Sequence, residues 1–497
     1  MRKAVIAVAA VLLAPPAFAS ENVTISTAAT SNMALSQHVF TPTGPDAVLN
    51  VGDLQTALAT SHIKVVTGSS GSQPGDIVVQ DGVTWPANLL ILNAQHSIDV
   101  LGHLNAAGTA DLELKTGPGG VLTFKGGSGR TTFAGASQSL RINTTFYTLV
   151  PDLPTLAADI SGNPRGDFAL LDNYDASTGP IYTHTPIPTT FAGSFQGLGN
   201  SISNLTIQDS TPHEDAALFA VLINRGSIAG LNLRNVDVES SAGGSNVAGL
   251  LMQNEGLVFN DSVSGRIVQA GASSVGGLVS VNDRGTVSNS ISTATVQGGT
   301  ATTAGGLVGT NNGAIANSYA TGNVRCGDGN AGGLVGSNNP RGTIVISLAT
   351  GDVKIANGGD VGGLVGSNKG GIGNAYAEGA ATGGAGANAG GFAGANLSSG
   401  QIGNTYSTGA PSGGAGATVG GFVGDDATTN GIQVSYWDTD TSGVSNGAGN
   451  TSDPQIQGLT SAQLQSGLPA GFSNAIWDNV GGFNDGFPFL LAVPFSP

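Results

Sequence analysis

Among the 497 residues only one is cysteine, Cys326. No disulfide can therefore form within the chain, and stability has to come from burial and repetition. Charge is scarce as well. Charged side chains make up 10% of the sequence, with 16 Lys and Arg against 32 Asp and Glu, a formal net charge of −16. Phosphate recognition needs a basic patch, and no cluster of Lys or Arg is present to make one, so nucleic acid is excluded as a partner. No apolar run approaches the roughly twenty residues that span a bilayer, the N-terminal stretch Ala4 to Ala14 included. The six His scatter over residues 38–213, without the close spacing of a ligand set.

What is there begins with a leader. Arg2 and Lys3 precede the apolar run, and Ala17-Phe18-Ala19 has the small-x-small form of a cleavage site. Residues 1–19 thus read as a signal peptide, which places the mature protein outside the cytoplasm after Sec-type export, secreted or on the outer cell surface. Glycine supplies 80 residues without the strict period of collagen, and 39% of the chain is hydrophobic. Hydrophobic residues recurring at regular spacing argue for a packed, turn-rich fold.

That spacing is the strongest signal in the sequence. From about residue 245 to 436, a Gly-Gly-Leu/Phe element recurs every 27 to 30 residues, placing Leu250, Leu278, Leu307, Leu334, Leu364, Phe392 and Phe422 in register. Four residues after each comes a carboxamide or its acid: Asn254, Asn282, Asn311, Asn338, Asn368, Asn396 and Asp426. A second apolar column follows at Val258, Val287, Ile315, Ile344, Ile372, Ile402 and Ile432, and a third at Val296, Val324, Val353 and Ala381. Tyr319, Tyr376, Tyr406 and Tyr436 add an aromatic column, with Leu348 in the gap. Segments this short with Gly inside or beside them do not suit helices, where each Gly costs about 1 kcal/mol. Short strands with Gly and Asn corners suit them better. A constant period then stacks equivalent strands rung on rung, so that identical residues align. The Asn/Asp column is expected to be a structural ladder hydrogen-bonded along the stack. A propeller blade would need about 40–50 residues and four strands. The expected fold is therefore all-β, a parallel β-solenoid of triangular coils.

The rest of the chain divides around this array. Residues 20–150 hold less regular short runs such as Ile77-Val78-Val79 and Leu89-Leu90-Ile91-Leu92, expected to be looser rungs. Short helices are expected near Asp53 to Ala59 and Leu153 to Asp159. Residues 151–215 are a Pro-rich transition leading into the array at 216–436, with the regular pattern setting in at Phe191. Residues 437–497 hold Trp437, Phe472, Trp477, Phe483, Phe487 and Phe489, expected to bury as an aromatic cap over the open end of the core. A carbohydrate-stacking site is the rival reading of these rings.

Motifs that carry chemistry are few. Arg165-Gly166-Asp167 is an integrin-type tripeptide, but so short a motif is expected by chance in a Gly-rich chain. Asp438-Thr439-Asp440-Thr441-Ser442-Gly443 opens like a calcium loop, yet position twelve is Gly449 rather than Glu, which favours a polar turn. His213-Glu214 is followed by Ala217 where a zinc protease needs His. No catalytic, cofactor-binding or metal-binding residue is assigned, and no cofactor is expected.

The segment from Phe191 to Leu205, FAGSFQGLGNSISNL, resembles the lead-in to GLUG repeats. Gly305 to Gly322, GGLVGTNNGAIANSYATG, is similar to the GLUG consensus, and Tyr436 to Gly443 resembles the end of such arrays. Ile142 to Val150 and Phe168 to Ser177 resemble the lead-in of filamentous-haemagglutinin-like bacterial adhesins. The resemblance implies a right-handed parallel β-helix and a secreted or surface adhesin that binds a host or neighbouring cell, matrix or glycan. It also implies an outer-membrane secretion partner, although the Asn-Pro-Asn-Gly signature of that route does not occur. An adhesin-like binding protein that is not an enzyme is the expectation. The alternative is a β-helix polysaccharide lyase or glycoside hydrolase, which would need a groove with clustered carboxylates.

Overall fold

The computed structural model describes residues 20–212, 214–271, 273–428, 430–480 and 482–493. The expected signal peptide and His213 lie outside them. The chain divides into two compact units, with the division between Leu149 and Val150.

The first unit is a short stack of parallel strands. Val23–Ser26 lies between Ala47–Asn50 and Ile77–Val79, and Ile98–Val100 and Leu122–Phe124 extend the sheet. Alternate side chains point inward, as Ile77, Val79, Ile98 and Val100 do, and are fully buried. The helix Val51–Leu58 starts where the Asn50 side chain accepts the backbone N–H groups of Gly52 and Asp53. The second helix, Leu153–Gly162, opens the second unit with Asp152 as its N-cap.

The second unit is a β-solenoid. One coil shows the pattern: Thr302–Gly305, Val308–Asn311, Ala314–Ala316, Tyr319–Ala320 and Val324–Cys326. Each strand pairs in parallel with its equivalents in the coils before and after, so that Val287, Ile315, Ile344, Ile372, Ile402 and Ile432 fall opposite one another. The Gly-Gly-Leu element is not one strand but the fold between two. Strands ending in the first Gly, or in Ala248 in the earliest of them, form a 7-stranded sheet, and strands after the Leu or Phe form an 8-stranded one.

Glycine is required at this fold because backbone meets backbone. A Cβ on Gly305 would land on the carbonyl oxygen of Val308, and one on Gly309 would meet the backbone of Val275 and Ser280 in the coil before. The same steric demand recurs at Gly332, Gly362, Gly390 and Gly420. The repeat's glycine spacing is thus a packing requirement of two sheets lying backbone to backbone.

The transition at 151–215 is more ordered than its prolines suggest. Asp167–Leu170 pairs with Ser194–Gln196 and Tyr174–Asp175 with Ile202–Ser203, so rungs begin before Phe191. At the other end, Ile456–Leu459 adds one strand to Ile432–Asp438, and Trp437, Ala448 and Ile456 belong to the continuous core.

The remaining C-terminal aromatics do not lie across that end. The chain turns back along the side of the solenoid, where Phe472, Trp477 and Leu490 cover the outward-facing column Leu348, Tyr376, Tyr406 and Tyr436. Trp477 sits 6.0 Å from Tyr376 and 5.9 Å from Tyr406, ring centre to ring centre. Phe483, expected to be buried, is 46% exposed. The segment is a lateral strap. The tyrosines project outward because an αL residue, Asn374, Asn404 or Val434, sits two positions before Tyr376, Tyr406 and Tyr436 and reverses the alternation that buries Ile372, Ile402 and Ile432.

Candidate functional site

The Asn column places its side chains inside the coil. Asn254 donates from Nδ2 to Oδ1 of Asn282 at 2.8 Å, and the same bond links Asn282, Asn311, Asn338, Asn368 and Asn396 at 2.7–2.9 Å. Asn396 donates in turn to Asp426. Several amide oxygens also accept the N–H two residues on, as at Gly256, Gly313 and Gly370. All six asparagines are fully buried. Their amide groups are taken up by one another and by backbone, which leaves nothing for a ligand.

Asp76, His96 and Ser97 bring together the side chains of a hydrolytic triad without its geometry. Asp76 Oδ1 and Ser97 Oγ both approach the same ring nitrogen, His96 Nδ1, at 2.7 and 3.2 Å. A relay needs the carboxylate on one nitrogen and the hydroxyl on the other. Ser97 Oγ instead accepts the backbone N–H of Val121.

In the tripeptide, Arg165 is exposed, but Asp167 starts a strand and accepts the N–H of Ser194 at 3.2 Å. A Cβ on Gly166 would strike the Phe168 ring. The tripeptide is a turn into the solenoid. Asp438 caps the short helix Thr439–Ser442 through the N–H groups of Asp440 and Thr441, and its other oxygen accepts from Ser461 Oγ at 2.6 Å. Asp440 accepts the Ser461 N–H at 3.0 Å. These carboxylates fasten the polar turn. Among the described residues no group of three or more His, Cys, Asp or Glu is arranged to hold a metal.

Burial shifts several ionisable groups, among them Asp261, Cys326 and the partly buried Glu378. Burial pushes the Asp261 carboxyl well up, against the N–H groups of Leu231 and Phe259 that favour its charged form. Burial, then the nearby Asp328 charge, pushes the Cys326 thiol up to about 12, so it stays a thiol. Glu378 lies beneath the strap. Burial, opposed by the Asn484 hydrogen bond and reinforced by the Asp485 charge, raises it to about 7.

Two surface features stand out among the described residues. One surrounds Trp437, whose indole lies against Gly421, Gly447 and Gly458. Those close backbone contacts pack the ring into the core instead of presenting it for stacking. The other is a shallow groove of about 320 Å³ bordered by Asn204, Thr206, Asn235, Asp237 and Arg266. Arg266 Nη1 bonds both Asp237 and Glu239 at 2.9 Å. No sequence pattern marked it, because its residues come from three coils and no column repeats them.

The GLUG motif family model matches residues 300–325, about one coil of the array. No curated protein matches the chain. Among solved structures, one from Bacteroides ovatus, provisionally named an immunoglobulin A1 protease, is similar at 17% identity and a TM-score of 0.41, covering 70% of this chain and 93% of its own. A second, named IgA1 protease, is similar at 20% identity and a TM-score of 0.36, covering 56% of this chain and 20% of its own. Both names are those of enzymes, so they lend no support to the expectation that this chain is not one. At such TM-scores they carry no argument for an activity either.

Proposed function

We propose that this chain is an adhesin-like binding protein that acts on the outer cell surface or after release, engaging a cell, matrix or glycan. One observation carries the reading: the most regular polar feature of the solenoid, its buried amide ladder, is consumed by the architecture itself. The amide ladder, the Asp438 turn and the Asp76–His96–Ser97 cluster each have a structural partner for the atoms a catalyst would need. What remains is the outer face of the coils, whose strands repeat at one period, and we take that face as the binding surface. The leader-like sequence of residues 1–19 supports export, and the GLUG match over 300–325 supports a repeat protein of this kind. An outer-membrane partner for secretion is part of the proposal.

The test has two arms. Fractionation of producing cells is expected to place the protein in the medium or on the outer surface. Purified protein is expected to bind cells or matrix in a saturable manner and to release no product from polysaccharides or from immunoglobulin A1. New reducing or unsaturated ends, or cleaved immunoglobulin, would replace this reading with an enzymatic one.

A further inference from the structure

The groove beside Arg266 exists because the solenoid loses a residue there. Successive strands pair residue for residue until Leu233–Val236 meets Val263–Gly265, where Arg234 and Asn235 together face the single residue Ser264. Gly265, at φ 130, fills the tight side of this bulge, and a Cβ there would hit the Val236 backbone. Bulges of this sort re-aim side chains and recur beside binding sites.

The bulge also leaves a hydrogen-bond chain open at one end. Asn235 Nδ2 donates to Asn204 Oδ1 at 2.7 Å, and Asn204 Nδ2 donates to Asp175 Oδ1 at 2.8 Å. This exposed ladder ends at an acceptor-only carboxylate. Its other end is Asn235 Oδ1, which no protein donor among the described residues reaches. Arg266 uses Nη1 for both Asp237 and Glu239, leaving Nε and Nη2 without a protein partner among the described residues. An unused acceptor and an unused planar donor therefore lie on one shallow surface. Thr206, Asp237, Arg266 and Thr295 line up along the axis in successive coils, about 4.8 Å apart.

We infer that this groove is a subsite for a neutral saccharide, with Arg266, Asp237 and Asn235 as its recognition residues. A sugar hydroxyl donates and accepts at once, which is what a surface of adjacent unused donors and acceptors selects. Planar Asp, Asn and Arg groups meet neighbouring hydroxyls pairwise. The spacing of the coils is comparable to the length of a pyranose ring. Charge decides between neutral and acidic sugars. Arg266, the arginine that lines the groove, is already paired with two carboxylates, and the chain as a whole carries −16, so a uronate, sialic acid or sulfate is disfavoured. The inference deepens the proposed binding function and rests on it.

The experiment uses the mature chain on an array of immobilised oligosaccharides, neutral and anionic, with calorimetry of the bound sugar in solution. A neutral glycan is expected to bind. Arg266→Ala and Asn235→Ala are each expected to weaken it about tenfold or more, the scale of one or two hydrogen bonds involving a polar or charged group. The melting temperature of Arg266→Ala should be nearly unchanged, because that side chain is exposed; Asn235→Ala places alanine at φ 52 and should melt slightly lower, so both are compared with the parent well below the transition. Lys354→Ala, three coils further along, is expected to bind as the parent does. Preference for anionic glycans, or equal affinity in the Arg266 and Asn235 variants, would overturn the subsite. Saturable binding to cells or matrix with no glycan bound would also overturn it while leaving the binding function standing. Failure of the parent protein to bind any of these surfaces would remove both.

Discussion

Asn396 donates from Nδ2 to Oδ1 of Asp426 at 3.4 Å, and the buried ladder ends there. Every amide before it points its N–H toward the C-terminal coil, so the last member needs only to accept. Asp426 does so, taking bonds from Thr428 N–H and Oγ as well. An asparagine in its place would turn an Nδ2 donor toward a coil with no equivalent acceptor. Asp426→Asn is expected to destabilise the fold by about 1 kcal/mol, whereas Asn311→Ala, which leaves Asn282 Nδ2 only the Ala314 carbonyl and takes the donor from buried Asn338 Oδ1, should cost about 2–5 kcal/mol. Urea denaturation of the two variants tests the order. An equal or reversed ranking would show that the end of the ladder is not specified by its acid.

The glycine columns differ in what they tolerate. Gly309→Ala forces a methyl into the backbone of the neighbouring sheet and is expected to cost several kcal/mol or to prevent folding, as overpacking of a filled interior does. Gly371 lies in the same array with open space where its Cβ would go. Gly371→Ala is expected to be neutral or stabilising by about 0.4–1 kcal/mol through the unfolded chain. Thermal melts of the pair separate steric demand from mere glycine content.

The strap should respond to pH through Glu378. Its carboxyl stands near 7 when covered by Asn484 and Asp485, against 4.5 for an ordinary glutamate. The folded value is raised, so its protonated form favours the docked strap. Docking is strongest below about pH 4.5, weakens as pH rises to about 7 and is flat above that. The change is on the order of 1–2 kcal/mol after allowance for residual exposure. The groups facing the carboxyl are Asn484, Asp485 and the hydroxyls of Tyr376 and Tyr406. Those tyrosines are pushed above their ordinary value, mainly by burial, and stay neutral over this range. Hydrogen exchange of residues 472–490, corrected for intrinsic rates, is expected to quicken between pH 5 and 7.5 in the parent and not in Glu378→Gln. The same slope in both would remove Glu378 as the cause.

Stacking explains what the sequence made legible and what it hid. Leu307, Asn311 and Ile315 recur in every coil because each touches its own equivalent above and below, and that self-contact writes the period into the chain. The αL corner is just as regular in space, at Asn260, Asn289, Asn317, Asn374 and Asn404. It was masked in sequence because Ile346 and Val434 interrupt it and because asparagine also fills the buried ladder. The strap and the groove were hidden for a different reason. Trp477 meets Tyr376, about a hundred residues away, and Arg266 meets Asp237 across a one-residue shift in register, so neither contact leaves a periodic trace.

Ile346 and Val434 mark the corner against which the strap packs. Both are β-branched residues at positive φ, 50 and 48, a conformation that strains such side chains by about 1–3 kcal/mol. Both pack against the strap, as do the polar members of the same corner: Asn374 accepts from Trp477 Nε1 at 3.1 Å and Asn404 donates to the Gly471 carbonyl at 2.8 Å. The strap therefore covers the side of the last coils, and removing it exposes a lateral column of tyrosines. Truncation after Leu459 is expected to leave the β circular dichroism intact and to cause side-by-side association visible by light scattering. Trp477→Ala should loosen the strap by about 3–5 kcal/mol, as loss of a buried indole does. Ile346→Asn supplies the diagnostic contrast. In the truncated chain it removes strain and an exposed apolar group, and should raise stability and reduce association. In the full chain it removes a strap contact, and the gain should shrink or change sign. A truncated chain that stays monomeric, with Ile346→Asn acting equally in both backgrounds, would show that the strap does not cover this corner.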